Sequence, residues 1–285
     1  MVPSPSVTKQ SPPPADRRCA PREAGTAGAA AGARIGTSGW SYREWRGGFY
    51  PPGTPPGAYL AHYARHFTTV ELNSTAYGLP KAGYLERWSA AVGAGFRMAI
   101  KAPHRITHIR RLRGCEEDLR EFLTAIRPLG ALRGPLLFQL PPSLAADAGL
   151  LGAFLDMVRP LADGLPLVCE FRNAGWYREE VFAALDRAGA ACCVHDMPGC
   201  GLDAPRTAGL LYLRRHGTAG RYAGSYGREQ LEADARLIAE RLAAGRDAYA
   251  FFNNTMDGSA VADALSLRSM VAQAVPAGGT CPASV

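Results

Sequence analysis

Ionisable residues stand at the ends of several apolar segments of this sequence. Glu170 and Arg172 end the segment PLVCEFR, and Arg214 and His216 end the segment LLYLRRHG. A short apolar segment of this kind is typical of a buried strand. Carboxylates, guanidinium groups and an imidazole that meet at one edge of a sheet can transfer protons and bind anions. The same arrangement is expected wherever an apolar segment of this chain ends in polar residues.

The pattern repeats along the chain because side chains alternate between the two faces of a strand. In the segment TVELNS, Val70 and Leu72 share one face, whereas Glu71 and Asn73 share the other. One face is apolar enough to pack against helices, and the opposite face becomes polar towards the carboxyl end. The polar residues predicted to face inwards are Glu71, Asn73, Lys101, Gln139, Glu170, Arg172, Asp196, Arg214, His216 and one of Asn253 or Asn254.

Eight candidate strands position these residues. They are RIGTSGW (34–40), TVELNS (69–74), FRMAIKA (96–102), PLLFQLP (135–141), PLVCEFR (166–172), ACCVHD (191–196), LLYLRRHG (210–217) and AYAFFNN (248–254). Segments with a helical period lie at 56–66, 81–91, 116–127, 147–158, 178–188, 228–243 and 259–272. Only the link between the sixth and seventh strands lacks one. Neither a GxGxxG nor a GxxxxGK[ST] motif opens the first helix, so the alternation predicts an α/β fold of the (β/α)8 TIM-barrel type.

The composition predicts one domain between two disordered ends. Residues 1–32 are rich in Pro, Ala and Gly and have no hydrophobic period, and residues 274–285 are similar. Such segments cannot bury enough apolar surface to order themselves. The folded domain is therefore expected over residues 33–273.

The remaining composition favours a cytoplasmic protein without a membrane partner. No apolar run approaches the roughly 20 residues that cross a bilayer, and MVPSPSVTKQSPPP contains no signal-peptide core. The seven cysteines include no CxxC pair, which favours reduced thiols over a zinc ribbon or a disulfide framework. The net charge of +7 permits binding to phosphates or nucleic acid without requiring it. The oligomeric state is not predicted.

Seven motifs follow one another in the chain. They are IGTSGWSYREWRGGFYP (35–51), VELNSTAYGLP (70–80), KAPHRITH (101–108), GPLLFQLPPS (134–143), CEFRNAGWY (169–177), YLRRHG (212–217) and YAFFNNTMDGSA (249–260). Together they resemble the domain of unknown function 72 family, also called YecE-like proteins, over about residues 34–272. The resemblance implies a TIM barrel and no established reaction. Ala76 departs from that family, which usually has an aromatic residue there, so the pocket is expected to differ in shape.

The predicted catalytic residues are Glu71, Glu170 and His216. Burial raises the pKa of a carboxyl group and a nearby Arg or Lys lowers it, so a carboxylate at a barrel mouth is tunable as an acid or base. Two carboxylates from separate strands also resemble a glycosidase pair. The same carboxylates have another interpretation, an internal ion-pair network with Lys101, Arg172 and Arg214.

The predicted substrate-binding residues are Trp40, Tyr42, Asn73, Lys101, His108, Gln139, Arg172, Asp196, Arg214, Asn253 and Asn254. Lys101, Arg172, Arg214 and His216 would bind an anion, and the rings of Trp40 and Tyr42 would stack on a sugar or base. Glu170, Asp196 and His216 end consecutive strands and could hold a divalent metal ion such as Mg²⁺, Mn²⁺ or Zn²⁺. No cofactor is otherwise indicated.

These residues favour an enzyme that acts on a small polar anionic ligand, such as a phosphorylated sugar or a nucleotide. Two alternatives stay open at this point. The basic segment HRITHIRRLR (104–113) also fits a nucleic-acid-binding protein or a metal-dependent nuclease. A non-catalytic ligand-binding protein would need the same pocket and none of the acid–base groups.

Overall fold

The structure, a computed structural model, describes residues 31–220 and 222–274. The predicted disordered ends, 1–32 and 274–285, lie outside the described residues except for residues 31, 32 and 274. At the first of these boundaries the backbone N–H of Gly32 donates to the side chain of Asp247 at 2.9 Å. The chain is therefore ordered one residue before β1 begins.

The described residues form nine strands and seven α-helices. The strands are β1 (Ala33–Thr37), β2 (Thr69–Leu72), β3 (Arg97–Lys101), β4 (Arg133–Leu140), β5 (Leu167–Phe171), β6 (Ala190–Cys192), β7 (Val194–His195), β8 (Leu211–Arg215) and β9 (Ala248–Phe252). The helices are α1 (Tyr59–Tyr63), α2 (Ala82–Ala91), α3 (Glu116–Ile126), α4 (Ala148–Leu161), α5 (Glu179–Arg187), α6 (Arg228–Ala243) and α7 (Ser259–Ala274). All eight predicted strands are present, and the sixth is divided into β6 and β7.

Local sequence signals explain most of the helix boundaries. The carboxylate of Asp147 accepts the backbone N–H of Leu150 at 2.8 Å and caps the start of α4. Helix α3 opens with two glutamates and an aspartate, whose negative charge favours a helix N-terminus. One boundary was predicted wrongly: residues 56–66 form a 3₁₀ turn followed by the short helix α1. The sequence Pro55-Pro56-Gly57 explains the difference, because glycine has a low helix propensity.

All strand pairs are parallel and form two sheets. One has the order β1-β9-β8-β7, and the other has the order β2-β3-β4-β5-β6. Only Cys193 separates β6 from β7, and its N–H donates to the carbonyl of Cys169 at 2.8 Å. At the other seam, Ser38 and Glu71 form an isolated bridge, and Gly39 N–H donates to the carbonyl of Glu71 at 2.9 Å. The two sheets thus follow one another around a common interior.

The alternation predicted for the strands is confirmed by two separate apolar cores. Leu211 and Leu213 of β8 pack in the larger core with the helices, whereas Tyr212 belongs to the smaller one. The smaller core lies among the strands and consists of Ala99, Leu137, Val168, Ala191, Cys193, Tyr212, Tyr249 and Phe251. Burial of one such large side chain stabilises the fold by about 1.5–3 kcal/mol. The apolar inner residues therefore fill the amino-terminal side of the interior and leave the carboxyl ends of the strands to polar groups.

The described residues include five of the seven cysteines. Cys115, Cys169, Cys192, Cys193 and Cys200 are buried free thiols. Burial raises the pKa of Cys169 to about 12, which makes this thiol unreactive. None of the described helices is long and apolar enough to cross a membrane.

The seam between β1 and β2 is closed by a side chain. The hydroxyl of Tyr63 accepts the backbone N–H of Thr37 at 2.9 Å and donates to the carbonyl of Thr69 at 3.0 Å. Gly36 lies beside this contact. A Cβ at Gly36 would stand 2.4 Å from the Thr69 oxygen and 2.8 Å from the Tyr63 hydroxyl oxygen. The seam therefore requires glycine at this position.

We expect Gly36→Ala to lower the free energy of unfolding by about 1–3 kcal/mol, because the added methyl group must push the backbone of β2 away. Urea unfolding followed by circular dichroism measures the change. Gly152→Ala is the matched control: it lies inside α4 with open space around its Cα and should stabilise the helix by about 0.5–1 kcal/mol. Equal effects of the two substitutions would show that the seam is not tightly packed.

Candidate functional site

A buried arginine holds two carboxylates at the centre of the site. Arg214 of β8 is only 1% exposed. Its Nη1 donates to Glu170 Oε2 at 2.5 Å, and its Nη2 donates to Glu71 Oε1 at 2.8 Å. Glu71 also accepts the hydroxyl groups of Tyr212 at 2.7 Å and Ser38 at 2.8 Å. Side chains from β2, β5 and β8 therefore meet across the interior, as the alternation predicted.

Both carboxylates are ionised at neutral pH. Burial is the largest single influence and would raise their pKa values, but the neighbouring cations and hydrogen-bond donors together outweigh it in each case. The pKa of Glu71 is lowered by Arg214 and by the hydroxyl donors, and the pKa of Glu170 is lowered well below its usual value by Arg214 and Arg172. Neither group is a proton donor in this state. The predicted ion-pair network is thus what the structure shows for these two residues.

Arg172 and His216 extend this network towards solvent. Arg172 Nε lies 2.5 Å from Glu170 Oε1 but is not aligned for a hydrogen bond, and its Nη2 lies 2.9 Å from His216 Nε2. A guanidinium group only donates hydrogen bonds, so Nε2 of His216 is the acceptor and its proton is on Nδ1. Burial lowers the pKa of His216 to about 4. The imidazole is therefore neutral at pH 7 and contributes no positive charge.

Asp196 orients His216 from the opposite side. One of its oxygens accepts the backbone N–H of His216 at 2.8 Å and lies 3.2 Å from Nδ1, and the other accepts the hydroxyl of Tyr226. Burial opposes ionisation of Asp196, but these hydrogen bonds lower its pKa to about 2. Both carboxylate oxygens are thus occupied by protein donors. Asp196 positions the imidazole and does not face the cavity.

Lys101 is the one basic group of this region without an anionic partner among the described residues. It ends β3, is 9% exposed, and forms no salt bridge or side-chain hydrogen bond with any of them. Burial and the neighbouring Arg214 lower its pKa to about 8. The negative charges of Glu71 and Glu170 are balanced by the positive charges of Arg172 and Arg214. We call these four residues the ion-pair centre. Lys101 therefore supplies the surplus positive charge of the site.

A cavity of about 590 Å³, here called the main cavity, opens at the carboxyl ends of the strands. Seven of the residues predicted from sequence line it: Tyr42, Asn73, Lys101, Gln139, Arg172, Arg214 and Asn253. Gln139 is paired in register with Glu170, which places its amide directly beside the ion-pair centre. The amide oxygen of Asn73 is buried and has no hydrogen-bond partner. The cavity thus combines an ammonium group that has no anionic partner among the described residues with an unused amide oxygen.

The structure leaves other predicted residues outside the main cavity. Glu71, Glu170, Asp196 and His216 do not line it and make the contacts described above. Trp40 packs edge-to-face on Trp88 with ring centroids 5.2 Å apart and lines a separate cavity of about 310 Å³. The ring centroids of His108 and His104 lie 4.1 Å apart with the rings tilted by 40°, and burial lowers the pKa of His108 to about 4. Asn254 is fully buried and donates to the carbonyl of Gly224 and to Asp263, so it holds two loops together.

Sequence reasoning missed the other residues that line the cavity. They are Tyr77, Pro142, Met197, Pro198, Cys200, Tyr222, Thr255 and Met256. Tyr77 is 81% exposed and stands between the main cavity and a second one of about 410 Å³. Tyr222 has a φ of 62°, a conformation that side chains other than glycine seldom adopt and that is frequent at binding sites. Its carbonyl accepts the N–H of Met256 at 3.2 Å. No periodic pattern marks these loop residues.

The described residues contain no group of three or more His, Cys, Asp or Glu side chains arranged to hold a metal ion. Of the predicted set, Glu170 faces Arg172 and Arg214, and His216 directs its two nitrogens to Arg172 and Asp196. These donors are therefore engaged with one another and with arginines.

Fold and site together define a parallel α/β protein of the TIM-barrel type, with a polar site at the carboxyl ends of its strands. This is the edge at which enzymes of that fold carry their active sites. The family described as "Protein of unknown function DUF72" matches residues 34–283, and the chain belongs to this family. The resemblance inferred from the seven motifs is thereby confirmed.

The relatives agree with this assignment. The UPF0759 protein YecE of Escherichia coli K12 is 37% identical over 124 residues, which are 43% of each chain, so this chain spans less than half of that relative's length. The crystal structure of a DUF72 family protein from Thermotoga maritima has a TM-score of 0.74 at 28% identity and covers 84% of this chain and 98% of its own. A D-psicose 3-epimerase from Clostridium cellulolyticum, at 10% identity and a TM-score of 0.53, covers 85% and 99% and shares the fold alone.

Proposed function

We propose that this protein is an enzyme that binds a small polar anionic ligand, a phosphorylated sugar or a nucleotide, in the main cavity. The observation that carries the proposal is the surplus charge of Lys101. The charges of the ion-pair centre cancel, whereas Lys101 faces the cavity without a partner among the described residues. An unpaired, poorly solvated cation is costly, and a bound anion would remove that cost.

The size and polarity of the main cavity suit such a ligand. A volume of about 590 Å³ is within the range of pockets that enclose small molecules. Asn73, Gln139 and Asn253 offer amide groups that can bond hydroxyl groups or a base edge, and Tyr42 and Tyr77 offer ring faces. Arg172, at the cavity wall, adds a second cation close to an anion bound at Lys101. Charge, amides and rings thus converge on one polar ligand.

In this proposal the residues predicted as catalytic have different roles. Glu71 and Glu170 are ionised and held by arginines, so they fix Arg214 and the electrostatic potential of the cavity. His216 is neutral and uses both nitrogens within the protein. Lys101 has a pKa of about 8 and is therefore the group that exchanges protons near physiological pH. Acid–base chemistry in this proposal runs through Lys101.

We expect Lys101→Met to weaken binding of inorganic phosphate and glycerol 3-phosphate at least tenfold, about 1.4 kcal/mol. The loss follows from removal of the surplus positive charge. In the unchanged protein the affinity should also fall as the pH rises above about 8, because Lys101 loses its proton there. Thermal shift and titration calorimetry measure both effects.

Lys81→Met is the control, because Lys81 is exposed and lies away from the cavity. Glycerol, which has no charge, tests whether the anion is what is bound. Unchanged phosphate affinity in Lys101→Met would overturn the proposal. Binding of a single-stranded oligonucleotide with a steep salt dependence, without binding of the small phosphates, would support the nucleic-acid alternative instead.

A further inference from the structure

We propose that Lys101 forms a covalent imine with an aldehyde or ketone that also carries the anionic group, which makes the main cavity a Schiff-base site. This inference rests on the proposed anion-binding function and names the reactive group of the ligand. Two features support the inference: the surroundings of the Lys101 amine and the presence of lysine instead of arginine at this position. The reaction also balances without a further reagent.

The surroundings of Lys101 favour a reactive amine. It ends β3 and points into the main cavity, and no described carboxylate lies within salt-bridge distance of it. Arg172 and Arg214 line the same cavity and favour the neutral amine, whereas Glu170 and Glu71 behind them oppose this effect without cancelling the effect of burial. An amine that is desolvated beside other cations loses its proton readily and becomes nucleophilic. Burial and Arg214 bring the pKa of Lys101 to about 8, so roughly one molecule in ten carries the neutral amine at pH 7.

The chain uses lysine rarely, which makes its presence here informative. Among 32 basic residues only Lys9, Lys81 and Lys101 are lysines. For binding an anion, an arginine at position 101 would serve as well, because its guanidinium group pairs with phosphate and carboxylate and stays charged. Arginine is not a nucleophile at neutral pH, whereas a neutral lysine amine attacks carbonyl carbons. The residue type therefore fits covalent chemistry better than simple charge attraction.

The reaction balances without a further reagent. The nitrogen lone pair attacks the carbonyl carbon, a C–N bond forms as the C–O π bond opens, and one proton moves from nitrogen to oxygen to give a neutral carbinolamine. Loss of a proton from nitrogen and departure of the hydroxyl group with a proton yield the imine and one water molecule. The imine then gains a proton from solvent, and the resulting iminium restores the positive charge that holds the anionic group. Hydrolysis reverses every step.

Borohydride trapping tests the inference. The full chain is incubated with pyridoxal 5′-phosphate, an aldehyde that carries a phosphate, then reduced with sodium borohydride, digested and mapped by mass spectrometry. We expect at least tenfold more label on Lys101 than on Lys81, which is the exposed reference in the same molecule. The rate of labelling should rise as the pH is raised through about 8, since the neutral amine reacts.

Lys101→Arg separates this inference from the proposed function. The variant should keep its affinity for inorganic phosphate within about threefold and lose the label at position 101, with circular dichroism to verify folding. Pyridoxine 5′-phosphate, which carries the phosphate but no aldehyde, should compete with labelling of the unchanged protein.

The outcomes are distinct. Phosphate binding without preferential labelling of Lys101 would refute the imine and keep the anion site. Equal labelling of Lys81 and Lys101 would also refute it, and absence of both phosphate binding and labelling would overturn both proposals.

Discussion

We expect the replacement of Arg214 by methionine to lower the free energy of unfolding by about 3–5 kcal/mol at neutral pH. The substitution keeps a large apolar stem and removes the cation shared by Glu71 and Glu170, both of which are fully buried. Two carboxylates would then remain in the interior with less compensation, and a buried unpaired charge is among the most destabilising changes known in proteins. Urea unfolding at pH 7 measures the loss.

The same variant should show a characteristic dependence on pH. In the unchanged protein the pKa values of both glutamates are lowered, so their contribution to stability is present above the usual value of 4.5 and is lost as the pH falls through their folded values. In Arg214→Met the carboxylates can take up protons instead. The difference in stability between the two proteins should therefore be largest at neutral pH and shrink on acidification.

Arg215→Met is a matched control for Arg214→Met. Arg215 is the next residue of β8, is also buried, and pairs with Asp234 of α6 on the helix side of the strand. Its loss should destabilise the fold but leave phosphate binding in the main cavity intact. Replacing Glu71 and Glu170 by glutamine together with Arg214→Met should recover part of the lost stability. A change below about 1 kcal/mol in Arg214→Met would contradict the assigned ion-pair centre.

The second large effect has the opposite sign: Lys101→Met should raise the free energy of unfolding by up to about 3 kcal/mol at pH 7. The pKa of Lys101 falls from 10.5 to about 8 on folding, because burial and Arg214 penalise the charged amine. Each pKa unit corresponds to about 1.4 kcal/mol. Methionine carries no charge and removes this penalty. The variant therefore loses a binding residue but becomes more stable.

The pH window of this effect follows from the same shift. Below pH 8 the folded and unfolded states both carry the proton, and the full penalty is present. Between pH 8 and 10.5 the unfolded state binds more protons than the folded state, so the unchanged protein gains stability as the pH rises. The advantage of Lys101→Met should disappear over this range. Lys81→Met should stay within about 0.5 kcal/mol of the unchanged protein, and a similar gain there would contradict the explanation.

The elements and the inward-facing residues could be predicted because both depend on local patterns. Period-two alternation placed Tyr212 and Arg214 on one face and Leu213 on the other, as observed. Helix α6 has the predicted bounds because its apolar positions recur with helical spacing. The motifs supplied the family. These signals lie within a few residues of one another, so no knowledge of the tertiary structure is needed to recognise them.

The division of the inward-facing residues between buried network and open cavity could not be predicted. It depends on distances between β2, β5 and β8, which are far apart in the chain, and on how many donors each carboxylate finds there. Asn253 and Asn254 are an example, because they are neighbours in sequence but differ in role. Asn253 lines the cavity, whereas Asn254 is buried and donates hydrogen bonds to Gly224 and Asp263. Tyr222 escaped prediction because its position depends on a left-handed backbone conformation in a loop without periodicity.

The contacts of Asn254 have a consequence for how a ligand would enter. The loops after β8 and β9 are cross-linked by Asn254 and by the bond between Tyr222 and Met256, so this rim should move as one rigid piece. Tyr77, another residue of the cavity lining, is 81% exposed and packs edge-to-face against His104, and a second cavity lies beside it. Ligands that share one anionic group but differ in the length of the rest of the molecule would therefore be distinguished at Tyr77, because this part of the rim can move.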